Sequence, residues 1–323
     1  MFTSQKLSSQ RIMIETSLSL MPAVLFKIYT IGWLAVFSFI TLVSSCLLTE
    51  LIFTKLAKKE IQLKDFSSVV SALLMFLAFN SNMPFFVYAI AGVVCIFLGK
   101  MIYGGLGKNI FNPAMVGWCF SMISFPQFMT KHLDTSKTVD FLQAIKIFTH
   151  NINVDAISQA TPLTSFKSNV DSISHATNLG SLSHDILQSF TNYPQDLLIL
   201  NILILAGGIF LILRSIINIT MPLFLFLGVI VGIFIFDAQL INSAKMFILT
   251  GPIILTAFYI VTDPATSPNI KIAQSLFSFL VGLVGILIAY KGAYPIGIAF
   301  ATLIMNSFVF ILDQLFTKKR KFI

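Results

Sequence analysis

The sequence predicts an all-α polytopic membrane protein of about ten transmembrane helices, arranged as two inverted five-helix repeats. Three observations lead there. Of 323 residues, 56% are hydrophobic and 11% charged, against roughly 25% charged in an ordinary soluble domain. The apolar residues fall into runs long enough to cross a bilayer, which takes roughly 20 residues each. Around a Ser/Thr-rich central stretch the chain divides into halves that echo one another, each with a polar, proline-containing break followed by a Gly-rich entry into its last span.

Hydropathy places the spans near 14–31, 33–54, 66–82, 84–103, 110–126, 195–213, 219–237, 245–262, 272–290 and 294–314. The first contains Pro22 and Lys27. The third, SSVVSALLMFLAFNSN, is short enough to be re-entrant or broken. In the first half LLMFLAFNSNMP precedes a span and GGLGKNIFNPAMVGWCF follows it; in the second half the counterparts are IILTAFYIVTDPATSP and KGAYPIGIAFATLIMNSF. Copies separated by an odd number of spans insert upside down relative to each other. Gly/Pro-interrupted helices then meet near the midplane, where unpaired backbone is tolerated only if buried in protein or lining a cavity. Gly, Pro and Asn also punctuate ordinary loops, so the symmetric placement carries this reading. The resulting division is a first membrane repeat over 1–126, an outward-facing loop over 127–192 and a second repeat over 193–323.

The basic residues set the orientation. With the N-terminus inside, Lys6, Arg11, Lys55, Lys58, Lys59, Lys64, Lys100, Lys108, Arg214, Lys271 and the Lys318–Lys321 tail are cytoplasmic, as short Lys/Arg-rich loops require, while Lys245, Lys291 and the lysines of the long loop fall on the opposite side. Both termini are then cytoplasmic and residues 127–192 face the periplasm or exterior. The net charge of +8 belongs to these loops and does not indicate nucleic acid. The opening MFTSQKLSSQRIMIETSLSL lacks the cleavage pattern of a secretory signal. Cys46, Cys95 and Cys119 lie in apolar runs without CxxC pairing and read as small buried hydrophobes. His132, His150, His175 and His184 all sit in the outward loop at spacings that match no common metal-ligand pattern, and read as solvated. Lys27 is expected to be the one charge within a span; it is either functional or snorkels to the surface.

Residues 104–114, GGLGKNIFNPA, hold the densest set of special residues. Gly104, Gly105 and Gly107 permit positive φ or close approach, Asn109 and Asn112 offer amides, and Pro113 suits a first helical turn. The stretch lacks the GxxxxGK[ST] order of a P-loop and follows no βαβ strand. Asn112-Pro113-Ala114 spells the aquaporin signature, but the second half offers only Asp263-Pro264-Ala265, followed by Thr266 where that family places an arginine. Asp263 reads either as a turn or N-cap aspartate or as a cavity contact near a cytoplasmic vestibule. In the outward loop, Asp155-Ala-Ile-Ser-Gln-Ala-Thr161 and Asp171-Ser-Ile-Ser-His-Ala-Thr177 repeat one phrase.

Taken together and in this order, GGLGKNIFNPA, TDPATSP, the outward D-x-x-S-x-A-T-P-L and GAYPIGIAFATLIMN (292–306) resemble the RnfD/RsxD family. Its members are membrane subunits of the ion-translocating Rnf/Rsx electron transport complex, homologous to a membrane subunit of the sodium-pumping NADH:quinone reductase. The resemblance implies a urea-transporter-like membrane subunit of an ion-translocating oxidoreductase, ferredoxin- and NAD-linked, in a bacterial inner membrane. It implies FMN joined through a phosphoester to an outward threonine by a flavin transferase that recognises D-x-x-[ST]-G-A-[ST]. Asp155, Ser158, Ala160 and Thr161 fill that pattern, with Gln159 where glycine is usual. The SNM before Pro84 departs from the proline-rich turn expected there. A second, non-covalent flavin (riboflavin) at the midplane breaks is a further implication; Gly105, Asn109, Asn112 and Asp263 are candidate flavin or cavity contacts. The implied partners are the other membrane and peripheral subunits, including a second flavoprotein.

Between the two threonines, Pro162 favours Thr161, because its ring pushes the preceding residue into extended backbone, and Ala160 leaves room beside the hydroxyl. Thr177 precedes Asn178 and has no such restraint. The chain shows neither the cysteine sets of iron–sulfur subunits nor a nucleotide fingerprint, so turnover alone is not expected. The rival reading is an inverted-repeat solute channel or transporter without a redox role; a scaffold protein that has lost its flavin is a third.

Overall fold

The computed structural model describes residues 9–58, 65–133, 139–150, 158–160, 195–236, 252–292, 294 and 296–319. Within them the chain is helical apart from one short ribbon. In order come α1 (Ser9–Ile31), α2 (Trp33–Leu56), α3 (Ser67–Ala78), α4 (Phe85–Ile96, continued by a π-helical turn Phe97–Met101), α5 (Pro113–Ser124), α6 (Pro126–Met129), β1 (Lys131–Leu133), α7 (Phe141–Phe148) and β2 (Ser158–Ala160). The second half gives α8 (Gln195–Leu213), α9 (Thr220–Phe236), α10 (Ile253–Leu255, continued by a π-helical turn Thr256–Ile260), α11 (Lys271–Lys291) and α12 (Ile298–Lys319).

Five helices, α1, α2, α8, α11 and α12, are long and apolar enough to cross a membrane, and α3, α4, α5 and α9 are shorter apolar helices. The chain is therefore a multi-pass membrane protein. A helix satisfies every interior backbone group within itself, which lipid demands. Most of these helices are apolar all round, as bilayer helices are. In α9, Met221, Leu225, Val229 and Ile233 are buried while Leu223, Leu227, Ile230 and Phe234 are exposed, so the protein-facing and lipid-facing sides are equally greasy. Pro22 sits inside α1 without ending it, and α1 begins at Ser9 rather than near residue 14. Of the eighth expected span (245–262), only residues 252 onward fall within the described part.

Packing follows close-approach sites. α9 and α11 touch at glycines: a Cβ on Gly228 would lie 2.1 Å from the Phe279 carbonyl oxygen, and one on Gly282 would lie 2.3 Å from that of Leu225. Small residues let two backbones meet where the hydrophobic effect cannot drive helices together. α2 packs on α3 and α4, α4 on α5, α1 on α3 and α8, α11 on α12, and α5 meets α12 between the halves.

The all-α expectation needs one addition. β1 and β2 pair antiparallel, with Lys131 opposite Ala160 and Leu133 opposite Ser158. The ribbon is thereby clipped to the end of α5 through α6. Between the strands in sequence, α7 packs on the start of α2, where Leu34, Ala144 and Ile147 form a small separate core.

Two short helices create the need that the polar residues meet. At about 1.5 Å per residue, α3 and α5, at 12 residues each, extend about 18 Å, well short of the roughly 30 Å hydrocarbon core. Their ends therefore fall inside the protein and leave terminal backbone groups to be satisfied. This agrees with the expectation that the third span is short or broken.

Candidate functional site

The first of these buried ends explains Lys27. Its Nζ donates to the carbonyls of Phe76 and Phe79, both at 2.6 Å, and lies 4.8 Å from the centre of the Phe76 ring. Both carbonyls belong to the C-terminal end of α3, where the helix stops. Lys27 is 5% exposed, so it does not snorkel; it is a buried cap for a broken helix, aided by the negative end of the helix dipole. Beyond it, Asn80 donates to the Met129 carbonyl at 2.8 Å and Tyr88 donates to the Asn80 carbonyl, fixing the break that SNM occupies.

Nor is Lys27 the single charge within a span. Glu15 in α1 is held by Arg11 at 2.9 Å and by Arg214, just beyond α8, at 2.9 and 3.0 Å. Glu50 in α2 and Lys100 in the π-helical turn of α4 form a buried pair at 2.6 Å, each side chain 2% exposed. Lys100 also donates to Asp65 at 3.3 Å and to Ser67, while Ser68 donates to the second Glu50 oxygen. Asp65 in turn accepts from the Ser67 amide at 2.9 Å and from its hydroxyl at 2.8 Å. Sequence reasoning missed this cluster, although Glu50 and Lys100 both lie inside hydropathic windows; intramembrane charge is itself the signal.

The N-terminal end of α5 is the second buried terminus. Asn112 is its N-cap, accepting from the Met115 amide at 3.3 Å, with Pro113 in the first turn, as the sequence suggests. The Asn112 amide group also donates to Asp263 at 3.3 Å, and its backbone N–H donates to Asn306 of α12 at 3.2 Å. Asn306 donates onward to the Thr266 carbonyl at 2.9 Å. Asp263 accepts from the Ala265 amide at 3.1 Å and the Thr266 hydroxyl at 3.2 Å. Asp263 is thus a turn aspartate, and it also contacts the N-cap of α5 in the other half of the chain. Asn306 had no role assigned from sequence.

These groups line a small cleft, part of it continuous with the exterior. Its polar lining includes Ser67, Lys100, Asn109, Asn112, Thr262 and Asp263; Leu74, Leu106, Phe258 and Tyr259 supply apolar wall. Ile12 and Thr16 of α1 and Ile216, beyond α8, also line it. The Glu15–Arg214 pair joins those same two segments, so the cleft lies toward the face where α1 begins and α8 ends. Chemically, it presents the Asn109 and Asn112 amides and the Asp263 carboxylate among aromatic and aliphatic surface, while the Lys100 ammonium beside it is already engaged by Glu50, Asp65 and Ser67.

Of the expected contacts, Asn109, Asn112 and Asp263 come together in this cleft. Gly105 does not line it. Its N–H has a structural task instead, donating to the Lys100 carbonyl at 3.2 Å to close the π-helical turn, at φ +111°. Ser158 and Ala160 lie in β2, in extended backbone. Asp155, Thr161 and Thr177 lie outside the described residues. Cys46, Cys95 and Cys119 are buried, as their apolar surroundings predict.

Comparison with known proteins bears on what this arrangement belongs to. A family model described as "NQR2, RnfD, RnfE family" matches residues 1–322. A Haemophilus influenzae (strain PittEE) protein, named as the D-type subunit of an ion-translocating oxidoreductase complex, is 33% identical over 96% of this chain and 92% of its own length. A protein of the same name from Escherichia coli O17:K52:H18 is 31% identical over 99% of this chain and 96% of its own. The chain therefore belongs to the NQR2, RnfD, RnfE family.

Proposed function

We propose that the chain is the membrane electron-transfer subunit of a ferredoxin- and NAD-linked, ion-translocating oxidoreductase complex, carrying FMN in phosphoester linkage to Thr161. The observation that carries this is the placement of β2. The Ser158-Gln159-Ala160 segment, which immediately precedes Thr161 in sequence, is extended and pinned to Lys131–Leu133. Asp155, Ser158 and Ala160 are the recognition residues of this reading.

Support for two inverted repeats (1–126 and 193–323) comes from the pairing pattern. α2 with α4 corresponds to α9 with α11, α4 with α5 to α11 with α12, and α1 with α3 to α8 with α10. α1 starts, and α8 ends, at the face marked by Glu15 and Arg214, which is the sense an inversion requires. With both termini cytoplasmic, the cleft opens to the cytoplasm and the 127–192 loop to the periplasm of a bacterial inner membrane.

The reading extends to a second, non-covalent flavin at this cleft. Its amides and the Asp263 carboxylate would take the polar edge of a planar ring, and its apolar wall the ring faces. When bound, a flavin supplies electron transfer; the protein supplies binding, orientation and electrostatics. Here Asn112 and Asn306 fix the two breaks against each other, and the Glu50–Lys100 pair holds charge beside the cleft. The partners of this reading are the other subunits, a second flavoprotein among them, and a flavin transferase.

The test is intact mass and peptide mapping of the chain co-expressed with a flavin transferase. An FMN-sized increment on the Thr161 peptide, lost in Thr161→Ala, supports the proposal. An increment on Thr177 keeps the function and moves the site. No increment, with the transferase active on a control substrate, turns the assignment toward a solute channel or a flavin-free scaffold.

A further inference from the structure

We infer that α7 is a membrane-surface helix whose Phe141, Leu142 and Ile145 face seats in the lipid leaflet at the Trp33 end of α2, holding the β1–β2 ribbon at the membrane surface. α7 divides into three arcs. At about 100° per residue, Ala144, Ile147 and Phe148 share one arc; the first two are buried and the third half-buried against α2. Phe141, Leu142 and Ile145 occupy the next arc and are 41%, 64% and 36% exposed. Gln143 and Lys146 fill the remaining arc and are exposed. One side thus faces protein, one is apolar and uncovered, and one is polar. A helix lying along a bilayer surface against its own protein needs this division into protein, lipid and water faces.

Depth comes from α2. It has 24 residues and so extends about 36 Å, more than the roughly 30 Å hydrocarbon core. Its first residue, Trp33, therefore stands near the boundary, where Trp and Tyr rings gather. The ring of Phe141 sits edge-on to Trp33 at 5.0 Å and 5.9 Å from Phe37. Trp33 itself is 48% exposed, and Ile40 and Leu48 continue that apolar side down α2. The uncovered arc of α7 is thus continuous with the lipid-facing side of a spanning helix. Lipid is the occupant that this continuity favours over a soluble partner.

In sequence α7 lies between β1 and β2, so seating it restrains both strands of the ribbon. Its consequence for residue 161 rests on the function proposed above.

The test is site-directed spin labelling of the full chain in phosphatidylethanolamine–phosphatidylglycerol nanodiscs, using Leu142→Cys, Ile145→Cys and Gln143→Cys. The native thiols do not compete, because Cys46 and Cys95 are 0% exposed and Cys119 4%. Labels at 142 and 145 should collide with oxygen several-fold more than with a water-soluble nickel chelate, relative to the label at 143. Nickel-dominated collisions at 142 and 145 overturn the inference. So does shielding from both reagents in the assembled complex with nickel access in the isolated chain, which assigns the face to a protein partner. Flavin attachment is then scored in Leu142→Glu/Ile145→Glu. Lipid-seated labels in a chain that never takes up flavin keep the surface helix and sink the flavin site; slower attachment in the double variant links the two.

Discussion

Replacing Lys100 by Met tests whether Lys100 neutralises the buried Glu50 carboxylate beneath the cleft. In the native protein Lys100 holds Glu50 at 2.6 Å, both side chains 2% exposed, and Asp65 at 3.3 Å, 17% exposed. Lys100→Met leaves the Glu50 carboxylate buried with the Ser68 hydroxyl still donating to it. Removing one partner of a buried pair costs about 3–5 kcal/mol, most of it the stranded charge. Asp65 adds little, because it is partly solvated and keeps the amide and hydroxyl of Ser67. At about 2 °C per kcal/mol for a chain of this size, the apparent Tm should fall by roughly 6–10 °C. Met matches the Lys stem in bulk, so packing changes little. Adding Glu50→Gln removes the stranded charge, and the double variant should regain about half of the loss. The assay is thermal unfolding in detergent at a fixed scan rate, followed by tryptophan fluorescence, since buried Trp118 reports the membrane core. A Lys100→Met protein within about 2 °C of wild type refutes the reasoning. So does a double variant that falls by the sum of the singles.

Asn112→Ala should cost about 1–2 kcal/mol, because it deletes both the α5 cap and the link to Asp263; a cycle with Asp263→Ala should show a coupling of about 0.5–1.5 kcal/mol by the same unfolding assay. Gly228→Val brings a Cβ to within 2.1 Å of the Phe279 carbonyl oxygen. It should separate α9 from α11 at a cost above about 2 kcal/mol, whereas the exposed Ile230→Val leaves Tm and membrane yield unchanged. Lys27→Met strands the Phe76 and Phe79 carbonyls; hydrogen exchange across residues 77–84 should accelerate by roughly tenfold or more, as a loss of about 1–3 kcal/mol would produce. Lys27→Gln, with amide donors but a shorter reach, should fall between Met and wild type.

What could be read in advance divides along a physical line. α2, α8, α11 and α12 announce themselves because a span of about 20 apolar residues is a local property of the chain. The start of α5 is equally local: Asn112 and Pro113 are a cap and a first-turn residue wherever they occur. The shortness of the third span is visible in its polar tail, and the burial of the three cysteines in their neighbours. Partners are a different matter. The snorkelling alternative for Lys27 failed because its acceptors exist only if α3 stops at Ala78, four residues before the hydropathic run does. With the helix ended early, two carbonyls point into the protein, and an ammonium from α1 is better placed on them than in a lipid headgroup.

Glu50 and Lys100 are 50 residues apart, and Asn112 and Asp263 are 151 apart. In a window average each charged residue near a helix end reads as a flank, and its neighbour in space contributes nothing to that average. Yet lipid makes the demand sharper than water would: a charge or an open helix end inside the bilayer must find a partner within the protein. Each polar residue in an apolar window is therefore a statement that some complementary group exists. For Lys27 the group was a pair of carbonyls, for Lys100 a carboxylate, and for the open end of α5 an amide anchored to the other half of the chain. Composition can locate the demand; the fold alone assigns what meets it, and in this protein two of those assignments border the cleft between the halves.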